Sequence, residues 1–228
     1  YCKECAASTT AFARNYIKKL IKSAEKEKLD VIYGDTDSVF ISLGDKTMQD
    51  AGKFMDSVNK ELPSLMELEL DGYYPRGIFV MKKGDDEGAK KKYALVDEND
   101  NIKIIGFETV RGDWSSIAKE TQKEVLRIIL VEDDVKKAVE YVRKVIEDVN
   151  GSKIDISKMI LKKKLTKDVE DYNAIGPHVN VAIRMIEKGD KVGAGSEIKY
   201  VVQEGKGKIG DKSVPAEEAD SYDPEYYV

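Results

Sequence analysis

Two aspartates, Asp35 and Asp37, stand one residue apart in the run Val31-Ile32-Tyr33-Gly34-Asp35-Thr36-Asp37-Ser38-Val39-Phe40-Ile41. Apolar, β-branched residues flank a centre of turn chemistry, so the stretch reads as strand, tight turn, strand. Residues two apart on an extended chain share a side, which would aim both carboxylates at one point. Hard anionic oxygens held on rigid strands suit Mg²⁺, which takes a few carboxylates together with substrate phosphates. That is the donor set of two-metal phosphoryl transfer. The same D-x-D is also ordinary turn chemistry, because Asp side chains cap their own backbone at hairpin tips.

The elements that must carry this tip can be read outward from it. Residues 6–28 show helical spacing of Phe12, Tyr16, Ile17, Leu20, Ile21 and Ala24, with Lys18, Lys19, Lys22 and Lys26 mostly on the other face. Thr47 caps a second helix to Glu61, ended by Pro63. Leu65–Leu70 alternates as a strand, and residues 78–81, 93–96 and 102–107 read as further strands, the last two joined by the polar turn Asp97–Asn101. Near residue 109 the texture changes. Residues 114–131 and 135–149 are helical, Gly176-Pro177 opens another helix that stops at Gly189, and a short strand covers Ile198–Val202. The fold class expected is α+β: a sheet with helices over 1–108, then a mainly helical part over 109–228.

With 41% hydrophobic and 36% charged residues of mixed sign, the chain can fill real cores and suits a heat-tolerant protein rich in ion pairs. No apolar run approaches a membrane span and no signal peptide is visible, so the expected compartment is the cytoplasm. The net charge of −5 hides an uneven distribution. Residues 153–208 hold 12 Lys/Arg against 8 Asp/Glu, a local +4, whereas residues 209–228 hold one Lys against six Asp/Glu, a local −5. Nucleic-acid contact is therefore expected before the acidic tail. Cys2 and Cys5 with a single His cannot form a four-ligand zinc site; a local disulfide and two plain thiols both remain open.

Tyr33-Gly34-Asp35-Thr36-Asp37-Ser38 inside two apolar strands resembles motif C of family B DNA polymerases, the archaeal replicative ones in particular. The resemblance runs through the chain in order. Tyr1-Cys2-Lys3-Glu4-Cys5-Ala6 is similar to the segment before motif C, Lys90-Lys91-Lys92-Tyr93-Ala94 to a K-K-[KR]-Y palm strand, and Gly106–Ser115 to the palm-to-thumb junction. Leu165-Thr166-Lys167, Tyr172-Asn173, Gly176–Val179, Ala216-Glu217-Glu218 and Tyr222–Tyr227 resemble the thumb. The resemblance implies a palm segment over 1–108 and a thumb over 109–228. It makes Asp35 and Asp37 the catalytic, Mg²⁺-binding carboxylates, with Asp37 as the bridging ligand and Glu69 as a further palm carboxylate near the metals. Glu69 also fits the solvated face of an alternating strand. Lys90, Lys91, Lys92 and Tyr93 are implied along the duplex, and Lys164, Thr166 and Lys167 on primer phosphates, with Lys162 and Lys163 beside them. Lysine neutralises phosphate without reading sequence, as a polymerase must. Both Lys runs also read as plain solvated charge, a strand end at 90–92 and an exposed helix face at 162–164. In heat-loving members the C-x-x-C is often a disulfide, which favours that pairing for Cys2 and Cys5. His178 is read as a structural residue of a helix start, and Trp114 as core.

The upstream D-x-x-S-L-Y-P-S motif and the triphosphate-binding K-x3-N-S-x-Y-G helix are absent, as are the N-terminal and exonuclease regions. The resemblance thus implies half an active site, completed by a large second polypeptide as in split methanogen-type enzymes, or else a fragment of a single-chain enzyme. Its substrates would be primer-template DNA and deoxynucleoside triphosphates. Met81–Ala89 reads as an inserted hairpin tip, and no sliding-clamp tail is visible. The alternatives are a non-catalytic DNA-binding or assembly module of a polymerase complex, and another palm enzyme such as a reverse transcriptase or nucleotide cyclase.

Overall fold

A computed structural model describes residues 2–81 and 88–228. The insertion expected at Met81–Ala89 lies largely outside the described residues. The chain divides into two compact units, Tyr1–Lys92 and Tyr93–Val228.

The first unit opens with α1 (Lys3–Lys26), whose buried residues Leu20 and Ala24 lie in its C-terminal half. Phe12, placed on the apolar face by spacing, is 64% exposed because no described element covers the first half of the helix. Lys28 (φ +56) turns the chain into β1 (Asp30–Asp35), which pairs antiparallel with β2 (Ser38–Ser42). Helix α2 (Met48–Glu61) starts at Thr47, whose side chain accepts the Asp50 N–H while the Asp50 carboxylate accepts the Thr47 N–H in a reciprocal capping box. Leu20, Ala24, Leu29 and Phe54 form the core, with Val31, Val39, Ile41, Val58 and Leu68 packed around them. Burial of these apolar groups is the main force fixing the helices to the hairpin, at roughly 25 cal/mol per Å².

The alternation at Leu65–Leu70 does not make a strand. Leu65 is 98% exposed, and only Leu68 reaches the core. The Asn59 amide supplies what a partner strand would, donating to the Leu68 carbonyl at 3.0 Å and accepting the Leu68 N–H at 2.7 Å. A side chain on α2 thus satisfies one extended residue, and the Met66 N–H donates back to the Pro63 carbonyl at 2.8 Å in a turn, not to a neighbouring strand. Strand β3 (Arg76–Met81) follows, and β4 (Gly88–Val96) leads into the second unit.

There, Tyr93–Val96 pair antiparallel with β5 (Ile102–Ile105) across a turn in which the Asp97 carboxylate accepts N–H bonds from Asn99 and Asn101. Helix α3 (Ser116–Arg127) is capped by Ser115 and widens into a π-helical turn, Ile128–Glu132, that stops at left-handed Asp133. Arg127 bridges Glu124 and Glu132 there, and Lys137 joins at Glu132. Helix α4 (Val135–Asn150) packs back on α3.

The sequence pattern places one strand in the remainder, and the structure has three: β6 (Leu161–Lys164), β7 (Glu197–Val202) and β8 (Ser213–Pro215), with β7 central. β6 escapes the pattern because its apolar residues are Leu161 and, just past its end, Leu165, a spacing that also fits a helix. β8 is only three residues long and ends in proline. Helix α5 (Pro177–Glu187) buries Val179, Val181 and Ala182 against Leu161, Leu165, Ile198, Tyr200 and Val202. Two short helices, α6 (Ile209–Lys212) and α7 (Pro224–Tyr227), close the unit. Tyr222, which lies between them in sequence, is buried with Ile117, Val149, Met159 and Val201, its hydroxyl donating to the Val149 carbonyl at 3.0 Å. No helix among the described residues is long and apolar enough to cross a membrane.

Candidate active site

The carboxylate tip depends on an irregularity that spacing does not reveal. Val31 faces Ile41, but Tyr33 faces Phe40, so β1 carries one extra residue at Ile32. Without that bulge the register would leave Asp35 inside a longer loop. With it, Asp35 is the last paired residue, opposite Ser38, and the loop shrinks to Thr36 and Asp37. Tyr33 locks the bulged strand: its ring is buried against Phe40 and Phe79, and its hydroxyl accepts the Lys91 N–H at 2.6 Å.

The turn is tight. The Asp37 N–H donates to the Asp35 carbonyl at 2.7 Å across Thr36, which stands at φ +55. A β-branched residue in this region is a strained outlier, and such strain persists where surrounding structure enforces it. The extended-chain argument for aiming both carboxylates at one point therefore stops at Asp35, because Asp37 belongs to the turn.

The two carboxylates differ in surroundings. Asp35, 20% exposed at its side chain, accepts from Thr36 Oγ1 at 3.1 Å and lies 3.8 Å from Lys91 Nζ. Asp37 is exposed and, among the described residues, its carboxylate has no hydrogen-bond or ion-pair partner. It is the open oxygen donor of the pair. Two carboxylates on a strand-anchored turn fit part of a Mg²⁺ shell, which needs further oxygens from elsewhere. Glu69 does not supply them here: it is exposed on the unpaired segment after α2, and no group of three or more His, Cys, Asp or Glu among the described residues could hold a metal.

Of the lysines expected along a duplex, Lys91 turns its backbone to φ +56 and places its ammonium beside Asp35. Lys92 and Tyr93 are half-buried farther along β4, with Tyr93 opposite Ile105, and Lys90 lies on the same strand.

In the second unit, Lys162, Lys163 and Lys164 lie on the edge strand β6, not on a helix face, and all three are exposed. Where β6 ends, Leu165 is fully buried, and its carbonyl accepts the Gly195 N–H at 2.8 Å. Thr166 and Lys167 emerge from that anchor. The Tyr172 hydroxyl accepts the Thr166 N–H at 2.9 Å, and Lys167 Nζ sits 5.0 Å from the Tyr172 ring centre and donates to the Asp171 carbonyl.

His178 packs edge-on to Tyr172 and is 7% exposed, with Nδ1 buried and without a partner. Burial first, then the charge of Lys163, holds its imidazole below the usual value of 6.5. A neutral native histidine binds fewer protons than the unfolded one, so its stability contribution is full above pH 6.5 and is lost as pH falls from there through the lowered native value. It is the chain's only histidine. The thermal midpoint is therefore expected to fall between pH 7 and pH 5, and His178→Phe to flatten that slope; a slope unchanged in the variant would remove the assignment.

Trp114 stands differently from its sequence reading. Trp114 is 43% exposed, because α3 begins at Ser116 and buries Ile117 in the place expected for the tryptophan. Cys2 and Cys5 are both exposed and are not bonded to each other in this structure; Cys2 sits at the N-cap of α1, where its sulfur accepts the Cys5 N–H at 3.4 Å.

Residues 1–228 match the sequence pattern of DNA polymerase family B from end to end. The chain belongs to DNA polymerase family B. It is 43% identical, over all of its length, to DNA polymerases of Thermococcus gorgonarius and Thermococcus kodakarensis, and spans 30% and 14% of those proteins. The structure of the family B DNA polymerase from the hyperthermophilic archaeon Pyrobaculum calidifontis is similar over the whole chain, with a TM-score of 0.72 at 34% identity, and the chain corresponds to 28% of that structure. As a family B polymerase segment, the chain carries its acidic hairpin and its basic strand in two different compact units.

Proposed function

We propose that this chain is the motif C part of the palm, over 1–108, and the thumb, over 109–228, of a DNA-dependent DNA polymerase. The observation that carries the reading is the acidic hairpin tip, with Asp37 open to a metal, in a chain of family B. Asp35 and Asp37 would hold the metal, and Glu69 would be a further palm carboxylate near it. Mg²⁺ bound there would stabilise the attacking 3′-oxygen and the departing pyrophosphate. The chain's own work is positioning: the bulge and the Thr36 turn would set the backbone from which the two carboxylates project, which limits the reorganisation left to the moment of reaction. Lys90, Lys92 and Tyr93 on β4, and Lys164, Thr166 and Lys167 after β6, would contact the backbone of the primer-template duplex, a sequence-independent interaction. The remaining ligands and the triphosphate site would come from polymerase regions outside residues 1–228, whether on a large second polypeptide or on a longer form of the same chain.

The test is primer extension with Mg²⁺ and all four deoxynucleotides, by the chain alone and by the assembly recovered with it. Extension by the assembly only is expected. Tight duplex binding with extension by neither would favour a non-catalytic DNA-binding module.

A further inference from the structure

Thr166 and Lys167 follow directly on the buried Leu165, yet both are exposed or half-buried at a strand end, where side chains normally wander. One residue holds both. The Tyr172 ring packs against the core of the β6–β7–β8 sheet and α5, and stands edge-on to buried His178 at 6.1 Å and 88°. Its hydroxyl accepts the Thr166 N–H at 2.9 Å and shares a second bond with Thr166 Oγ1 at 3.2 Å. Its face lies under Lys167 Nζ at 5.0 Å, and that ammonium is tied to the neighbouring Asp171 carbonyl. A rigid aromatic with its base in the core and its polar edge at the surface loses little conformational freedom in doing this.

We infer that Tyr172 is a positioning residue for duplex binding: it holds the Thr166 backbone and the Lys167 ammonium in the arrangement that meets consecutive backbone phosphates. The inference rests on the proposed contact of Thr166 and Lys167 with DNA. Bonds from Thr166 hold the phenol below its usual value, in keeping with a hydroxyl that accepts from its neighbour. Preorganisation of this kind raises affinity by removing an ordering cost, without adding a contact to the ligand.

The experiment is a double-mutant cycle on the full chain, read by fluorescence anisotropy with a labelled primer-template across a salt series. Lys167→Ala tests the underlying contact and should reduce the slope of log affinity against log salt by about 1. Tyr172→Phe keeps the ring, its packing and its place under Lys167, and loses only the hydroxyl. It should weaken binding about fivefold in the otherwise unaltered chain, on the scale of a lost hydrogen bond. In the Thr166→Ala, Lys167→Ala background the same change should cost less than about twofold, because the side chains that the tyrosine positions toward the phosphates are gone. A purely structural tyrosine would give equal losses in both backgrounds and a lowered thermal midpoint, which overturns the inference while leaving the DNA contact standing. An unaltered salt slope in Lys167→Ala would overturn the contact itself, and the positioning role with it.

Discussion

Asp37→Ala is expected to lower primer extension by about a thousandfold or more in the assembly that supports it, while duplex affinity stays within about twofold. The size follows from the role proposed for it. A metal ligand at the reacting centre contributes several kcal/mol to transition-state charge stabilisation, and about 4 kcal/mol corresponds to about a thousandfold in rate. Folding should be little affected. Asp37 is exposed, its side chain has no partner among the described residues, and the bond that closes the turn uses its backbone N–H, which alanine keeps. Surface changes of this sort usually stay within about 0.5 kcal/mol of the parent. Asp37→Asn preserves shape but not charge and should lose nearly as much activity. Single-turnover extension with saturating DNA separates chemistry from binding; a rate near that of the parent would remove Asp37 from the metal site and return the hairpin to ordinary turn chemistry.

Asp35 is less exposed to this logic. It already has Thr36 and Lys91 as partners, so the turn holds one carboxylate and presents the other. Composition could not have shown this division of labour. Apolar, β-branched residues on both sides of Gly34–Asp37 made the hairpin legible, because flanking strands and turn residues are local properties. The bulge at Ile32 and the positive φ of Thr36 are not legible in the sequence: the bulge goes with Tyr33 packing on Phe79 and bonding to Lys91, far along the chain, and a β-branched residue does not announce a left-handed turn. The same distinction runs through the fold. Thr47 and Pro177 announced their helices by local capping rules, and both helices are where those rules place them. Leu65–Leu70 has the period of a strand without a strand to pair with, and β6 has a partner without the period. Lys162–Lys164 could be recognised as basic and exposed from sequence, but only the pairing of Leu161 with Tyr200 shows that they ride on a sheet edge. Trp114 shows the limit of composition at the level of one residue: a large aromatic at a helix entrance stays 43% exposed, and Ile117, three residues later, is buried in the core instead.

Asp223→Ala is expected to destabilise the second unit by about 3 kcal/mol. Asp223 and Lys212 form an ion pair whose side chains are only 9% and 17% exposed. Two further bonds meet at Asp223: its carboxylate accepts the Glu225 N–H at the start of α7, and its own N–H donates to the Val202 carbonyl at 2.8 Å. Alanine keeps the last of these and loses the rest. Removing one partner of a buried pair leaves the other charge without compensation, a cost of about 3–5 kcal/mol, and the lost helix cap adds about 1. The total is held near the lower end because the Lys212 ammonium retains some exposure and its stem can swing it toward water. The pair itself is a different matter. Replacing both residues, Asp223→Leu with Lys212→Met, removes the charges together and should recover most of the loss, since apolar groups of similar size often match a buried ion pair. Urea unfolding followed by far-ultraviolet circular dichroism measures all three variants. A single variant within 1 kcal/mol of the parent, or a double variant no better than the single, would show that desolvation of Lys212 does not govern this end of the sheet.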